Sequence, residues 1–176
     1  MIECTIPSIK DVENVAKEIL RAEAGWWLRS PSHFSNCVMR VNSSGNIGSD
    51  GSFIYLNYAV RPILITNLKS LNLKVGCVCK ILGISWVYIG DGKFLTKDVE
   101  FYSIFDKESN DYETSFLKKS VNKWFSKLKY MLPSRLNTEK NKNSYIVRFK
   151  DKDDKANQNK DGIFCFRNEE YIRFKR

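Results

Sequence analysis

The chain has 176 residues, 43% hydrophobic and 28% charged, enough to bury one ordinary core and too apolar to remain disordered. Its apolar runs are short and interrupted, which excludes a membrane-spanning helix. The opening MIECTIPSIKDVENV lacks a basic start followed by an apolar stretch, so no signal peptide is expected. The net charge of +9 is unevenly placed: residues 1–114 carry 12 Lys and Arg against 13 Asp and Glu, a net −1, whereas residues 115–176 carry 17 against 7, a net +10.

In chain order, Ser8 is placed to cap a helix over residues 8–23. Asp11 falls in its first turn, and Val12, Val15, Ala16, Ile19 and Leu20 form one apolar stripe, closed by Gly25. Residues 26–66 read as β-structure. One strand starts at Trp26 and stops at Pro31, and a second covers Cys37 to Val41. The turn-rich loop SSGNIGSDGS spans 43–52, and strands follow over Phe53 to Tyr58 and Val60 to Thr66, where Pro62 marks an edge or a bulge. Residues 74–97 read as a hairpin: Val75, Cys77, Cys79 and Ile81 alternate with smaller or polar neighbours, Ile84 to Ile89 form a strand, and Gly90-Asp91-Gly92-Lys93 makes the turn into Phe94-Leu95-Thr96. The strongest helix covers 111–132. Asn110 and Glu113 have capping-box spacing, Leu117, Val121, Trp124, Phe125, Leu128 and Leu132 make its apolar face, and Pro133 stops it. A basic linker at 133–143 leads to three strands, Ser144–Lys150, Gly162–Arg167 and Tyr171–Lys175. The polar segment 151–161 between the first two reads as a mobile loop.

Side-chain chemistry narrows the function. The five cysteines are Cys4, Cys37, Cys77, Cys79 and Cys165, an odd count that favours free thiols in a reducing compartment. Cys77 and Cys79 share one strand face, poor geometry for a disulfide, and read as core thiols. His33 is the only histidine, and no zinc spacing, P-loop, dinucleotide fingerprint or nucleophile elbow occurs. No cofactor and no metal are expected. An acid–base pair of His33 with Asp50 or Asp91 has no supporting spacing, so the chain reads as a non-enzyme.

Trp26-Trp27-Leu28-Arg29-Ser30-Pro31, taken with Val60-Arg61-Pro62-Ile63-Leu64, resembles an uncharacterised bacterial and phage domain family that reads WWLRSP and then GVRPAL. That family is similar to C-type-lectin-like folds. This chain departs from the pattern at Ala59, where the family has glycine. The stretch from Val75-Gly76 through Ile84–Ile89, Leu95-Thr96-Lys97, Phe105-Asp106, Tyr112, Ser115 and Trp124 resembles the opening half of the same family, so the two halves stand in reversed order. The resemblance implies an α+β fold: a C-type-lectin-like mixed antiparallel sheet with two helices at 1–132, and a C-terminal antiparallel β extension at 133–176. A permutation joined through Asn67 to Leu73 explains the order if residues 60–66 pair with 74–82. The competing account is a truncated repeat fused to the start of another. Lectin-like relatives that bind sugar use calcium motifs EPN or QPD, and neither occurs here. Arg29 and Arg61, beside the paired tryptophans, read as structural ion-pair or stacking groups, and at least one of Trp26 and Trp27 belongs to the core.

The basic third then carries the functional expectation. Lys119, Lys123 and Lys127 recur at i, i+4 and i+8 opposite the apolar face, flanked by Lys118 and Lys129. Arg135, Arg148, Lys150, Arg173, Lys175 and Arg176 add cations, the last five interleaved with aromatic residues as in a sheet that offers charge to phosphates and rings to bases. The expected partner is nucleic acid or the acidic surface of a nucleoprotein, with no membrane, in the cytoplasm of a bacterial host cell. The family resemblance adds the expectation of a phage or mobile-element inhibitor of a host defence nucleoprotein, an anti-CRISPR-like role. The alternative is a lectin-like receptor- or ligand-binding surface module with loop 43–52 on its ligand face.

Overall fold

A computed structural model describes residues 3–66, 73–81 and 83–130, together with strand backbone at 146–149, 157–159, 163–165 and 170–173. The first half contains β1 (Glu3–Thr5), α1 (Ile9–Val12), α2 (Lys17–Leu20), β2 (Trp26–Pro31), β3 (Cys37–Val41), β4 (Ser52–Phe53), β5 (Tyr58–Val60) and β6 (Ile63–Ile65). There follow β7 (Val78–Ile81), β8 (Ile84–Gly90), β9 (Lys93–Thr96), β10 (Phe101–Ser103) and α3 (Phe116–Tyr130). The last strands are β11 (Ile146–Phe149), β12 (Asn157–Asn159), β13 (Ile163–Cys165) and β14 (Glu170–Arg173).

Two sheets result. One has the order β1-β6-β9-β8-β7-β11-β14-β13-β12, the other β10-β5-β2-β3-β4. Their pairings are antiparallel except that of β2 with β5. Strand alternation divides the core. Trp86 and Tyr88 of β8 and Phe94 of β9 pack with Phe125 and Leu128 of α3. Ile89, Leu95 and Ile63 pack instead with Val12 and Leu20 of the short helices. On β2, Trp26 and Leu28 join that second cluster, while Trp27 joins Leu117 and Val121 beneath the start of α3. Both tryptophans are therefore buried, because β2 has packed layers on both faces. Each indole N–H donates to a carbonyl, Trp26 to Leu20 at 3.0 Å and Trp27 to Ser103 at 2.9 Å.

Several expectations are corrected. The helix expected over 8–23 is two single turns: Ala16 takes an extended ψ of 138° between them, and the second turn ends at Leu20. The expected strand Phe53–Tyr58 is a turn after its first residue, with the Leu56 N–H donating to the Phe53 carbonyl at 3.1 Å. Pro62 lies at neither an edge nor a bulge but between β5 and β6, where the chain leaves one sheet for the other. The long helix begins at Phe116 rather than 111. Asn110 does not cap it; its amide donates to the carbonyls of Phe34 and Cys37. The Ser115 hydroxyl accepts the Lys118 N–H at 3.0 Å, and the Asp106 carboxylate accepts that of Phe116 at 2.7 Å. Asn157–Asn159 is a strand inside the expected loop 151–161. The permuted order required residues 60–66 to pair with 74–82. Instead β6 pairs with β1 and β9, and β7 with β8 and β11, so the permutation fails. Leu132, Pro133, the linker 133–143 and most of the Asn67–Leu73 connection lie outside the described residues.

The hairpin strands, the β2 stop at Pro31 and the reduced thiols agree with the sequence reading. Cys37, Cys77 and Cys79 form no disulfide among the described residues, and burial pushes the Cys79 thiol far up, with Cys77 adding to the shift.

Arg61 closes the fold at the sheet change. It is fully buried, stacks 5.1 Å over Trp26, and donates to the carbonyls of Ile19, Leu20 and Arg21 at the end of α2 and of Thr96 and Lys97 at the end of β9. Burial lowers its pKa to about 10, opposed by Asp98, so the cation persists at neutral pH. Replacing Arg61 by Ala would remove the guanidinium donor from these carbonyls, of which Leu20 retains the Trp26 indole N–H, at a cost of about 3–5 kcal/mol in urea denaturation. Arg61→Lys should recover little of that loss, because an ammonium lacks the planar fork and the stacking face.

Candidate functional site

Two surfaces offer chemistry, one cationic and one aromatic. On α3, the apolar face turns Leu117, Val121, Phe125 and Leu128 inward, which leaves Lys119, Lys123 and Lys127 exposed in one row. Lys118 is half-buried and pairs with Glu113. The three row lysines have no carboxylate partner among the described residues. Phe116 is also exposed, and its i, i+3, i+7, i+11 spacing to the lysines places it on the same line. Lys129 belongs to α3 by backbone. Arg148 of β11 stands opposite Lys80 of β7 in register, and Arg173 of β14 opposite Ile146. The side chains of Lys129, Arg148 and Arg173, and all of Arg135, Lys150, Lys175 and Arg176, lie outside the described residues. Lys80, an exposed residue on the strand that receives β11, was not singled out from the sequence, because isolated lysines in hairpins carry no pattern.

The aromatic surface is a cleft of about 520 Å³ lined by Phe34, Asn36, Cys37, Asp50, Phe53 and Leu56, among others. Phe34 is 52% exposed, Phe53 44% and Leu56 38%, so three large exposed apolar side chains line one opening, and Tyr55, 56% exposed, stands beside Phe53. Tyr55 lies parallel to Phe53 at 5.4 Å, and His33 packs 4.1 Å from Phe34. The floor turn is fixed by Gly51 at φ +77°, where a Cβ would meet the Val38 carbonyl oxygen at 2.7 Å. A strand over Phe53–Tyr58, as the sequence suggests, gives no sign that these rings are exposed beside a cleft.

Arg29 and Arg61 are structural, as expected. Arg29 pairs with Asp11 at 3.1 Å, and Lys93 reaches the other carboxylate oxygen at 2.8 Å. Burial pushes the Asp11 pKa up, but Lys93, the Ser8 N–H and hydroxyl, and Arg29 together hold it well below the carboxylate range. His33 is exposed, and Asp91 sits in the β8–β9 turn of the other sheet. Among the described residues, no group of three or more His, Cys, Asp or Glu is placed to hold a metal, and no helix is long and apolar enough to cross a membrane.

The class defined by this architecture is mixed α+β with mainly antiparallel sheets. Within it, residues 6–68 match a family model described as a domain of unknown function, DUF6273. The matched stretch holds both WWLRSP at 26–31 and AVRPIL at 59–64. No curated protein and no solved structure matches the chain.

Glu100 is the half-buried carboxyl with a pKa raised to about 7, by burial first and by Asp98 second. A raised folded-state value means that its stabilising contribution is full below the ordinary 4.5 and is lost as pH rises through about 7. Glu100→Gln should therefore melt above the parent protein at pH 8 and together with it at pH 4, in thermal denaturation followed by circular dichroism.

Proposed function

We propose that the protein is a non-enzymatic interaction protein whose basic C-terminal third binds nucleic acid or the acidic surface of a nucleic-acid-handling protein. The observation that carries this reading is the row Lys119, Lys123 and Lys127, exposed and without carboxylate partners among the described residues. Phe116 supplies an exposed ring on the same line, suited to stacking on an unpaired base. The setting that suits this reading is the cytoplasm of a bacterial cell, with a defence nucleoprotein as the target of an anti-CRISPR-like inhibitor.

A second reading is a lectin-like module that binds a receptor or ligand. What favours it is the aromatic cleft beside loop 43–52, which contains no lysine or arginine in its lining and serves no purpose in the first reading. The lectin-like kinship itself is a proposal about architecture, supported by the mainly antiparallel sheets.

Titration into labelled mixed-sequence RNA and DNA tests the first reading. With six or more phosphate contacts, binding should weaken by about a thousandfold between 50 and 200 mM salt. Reversing Lys119, Lys123 and Lys127 to Glu should remove about two to three units from the log–log salt slope. Absence of binding at 50 mM salt would refute a nucleic-acid site and leave protein contacts as the role of the charge.

A further inference from the structure

We infer that the aromatic cleft at residues 33–37 and 50–56 is a binding site for a small, soluble organic cation with an apolar body, such as a quaternary ammonium. This gives a ligand class to the second reading above and is independent of the basic face.

The argument rests on what the cleft offers and what it lacks. Its walls include Phe34, Phe53 and Leu56, and the Phe53 ring is held by parallel stacking on Tyr55 while remaining substantially exposed. Asp50 lines the same opening, and its carboxylate accepts the Ser49 hydroxyl at 3.0 Å but has no Lys or Arg partner among the described residues. Arg40 is not itself a lining residue, although its side chain reaches Ser52. Its Nε donates to the Ser52 Oγ at 2.6 Å, and its guanidinium lies 5.2 Å over the Tyr58 ring. Rings with a lone carboxylate attract a positive charge: the ring faces through their quadrupoles, the carboxylate directly.

A neutral sugar is poorly matched. The Ser52 hydroxyl is taken by Arg40 and Tyr58, and the Asn36 carbonyl oxygen has the Cys37 thiol as its neighbour. Asp50 and the Asn36 amide then remain for a ring of hydroxyl groups that needs several convergent partners. One charged head on an apolar body needs only rings and a carboxylate. The Gly51 turn builds the floor before any ligand arrives, so little ordering is required on binding.

Choline and its uncharged isostere 3,3-dimethylbutan-1-ol are the probes, observed by saturation-transfer NMR and titrated on the full chain. Choline should bind, and the isostere about tenfold more weakly or worse, since the two differ in charge and hardly in shape. Phe53→Ala should weaken choline by about tenfold and Asp50→Asn by about threefold or more. The Lys119, Lys123 and Lys127 reversals should leave choline binding unchanged, which separates this site from the nucleic-acid reading. Equal binding of the isostere, no choline binding, or indifference to Asp50→Asn would overturn the proposal. So would preferential binding of methyl glycosides, or of phosphatidylcholine vesicles over free choline, because the ligand would then be a sugar or a membrane headgroup.

Discussion

The fold depends on one guanidinium. Where the chain passes from the five-stranded sheet to the nine-stranded one, Arg61 stands fully buried between the end of α2 and the end of β9. A buried cation is tolerable only when its donors are satisfied, and here backbone carbonyls do this, with no carboxylate in hydrogen-bonding contact among the described residues. The carbonyls in turn have no continuing helix or strand to receive them. Arg61 thus answers two termination problems at once and fixes where the short helices lie against the sheets. Asp11 makes a complementary link, joining α1 to Arg29 of β2 and Lys93 of β9.

These two polar knots assign the WWLRSP and AVRPIL segments to architecture. Trp26, Trp27 and Leu28 fill the core, Arg29 neutralises Asp11, and Arg61 joins the elements. Around the knots lie the two surfaces with distinctive chemistry, the outer face of α3 and the opening between residues 34–37 and 50–56. The two surfaces differ in sign. One is a row of lysines, the other an aromatic cleft with a carboxylate, so a single ligand chemistry does not suit both.

Legibility in the sequence followed the range of the forces involved. β2, β3 and the β8–β9 hairpin could be read directly because alternation and turn glycines are local signals. So could the lysine row, since its period is that of the helix whose apolar face was plain. The apolar stripe over 8–23 is genuine, but nothing local in the sequence marks the break at Ala16, and the carbonyls that close the second turn go to Arg61, some forty positions on. The start of α3 was misplaced because Asn110 finds the Phe34 and Cys37 carbonyls across the fold in place of its own helix. The cleft stayed hidden because Phe53 and Tyr55 have strand propensity, and propensity does not tell a buried ring from an exposed one. The reversed family order suggested a closure that strand pairing does not make; β9 and β8 stand between β6 and β7.

The bonds that close the core are long in sequence. Trp27 donates across 76 residues to Ser103, and Thr5 reaches Tyr112 across 107. On a ribosome adding about 5–20 residues per second, Tyr112 follows Thr5 by roughly 5–20 s. During that interval the nascent chain carries Trp26, Trp27 and Leu28 without α3 or β10 to cover them. Productive folding is thereby deferred until the helix has emerged, and the early segment holds its apolar side chains uncovered until then.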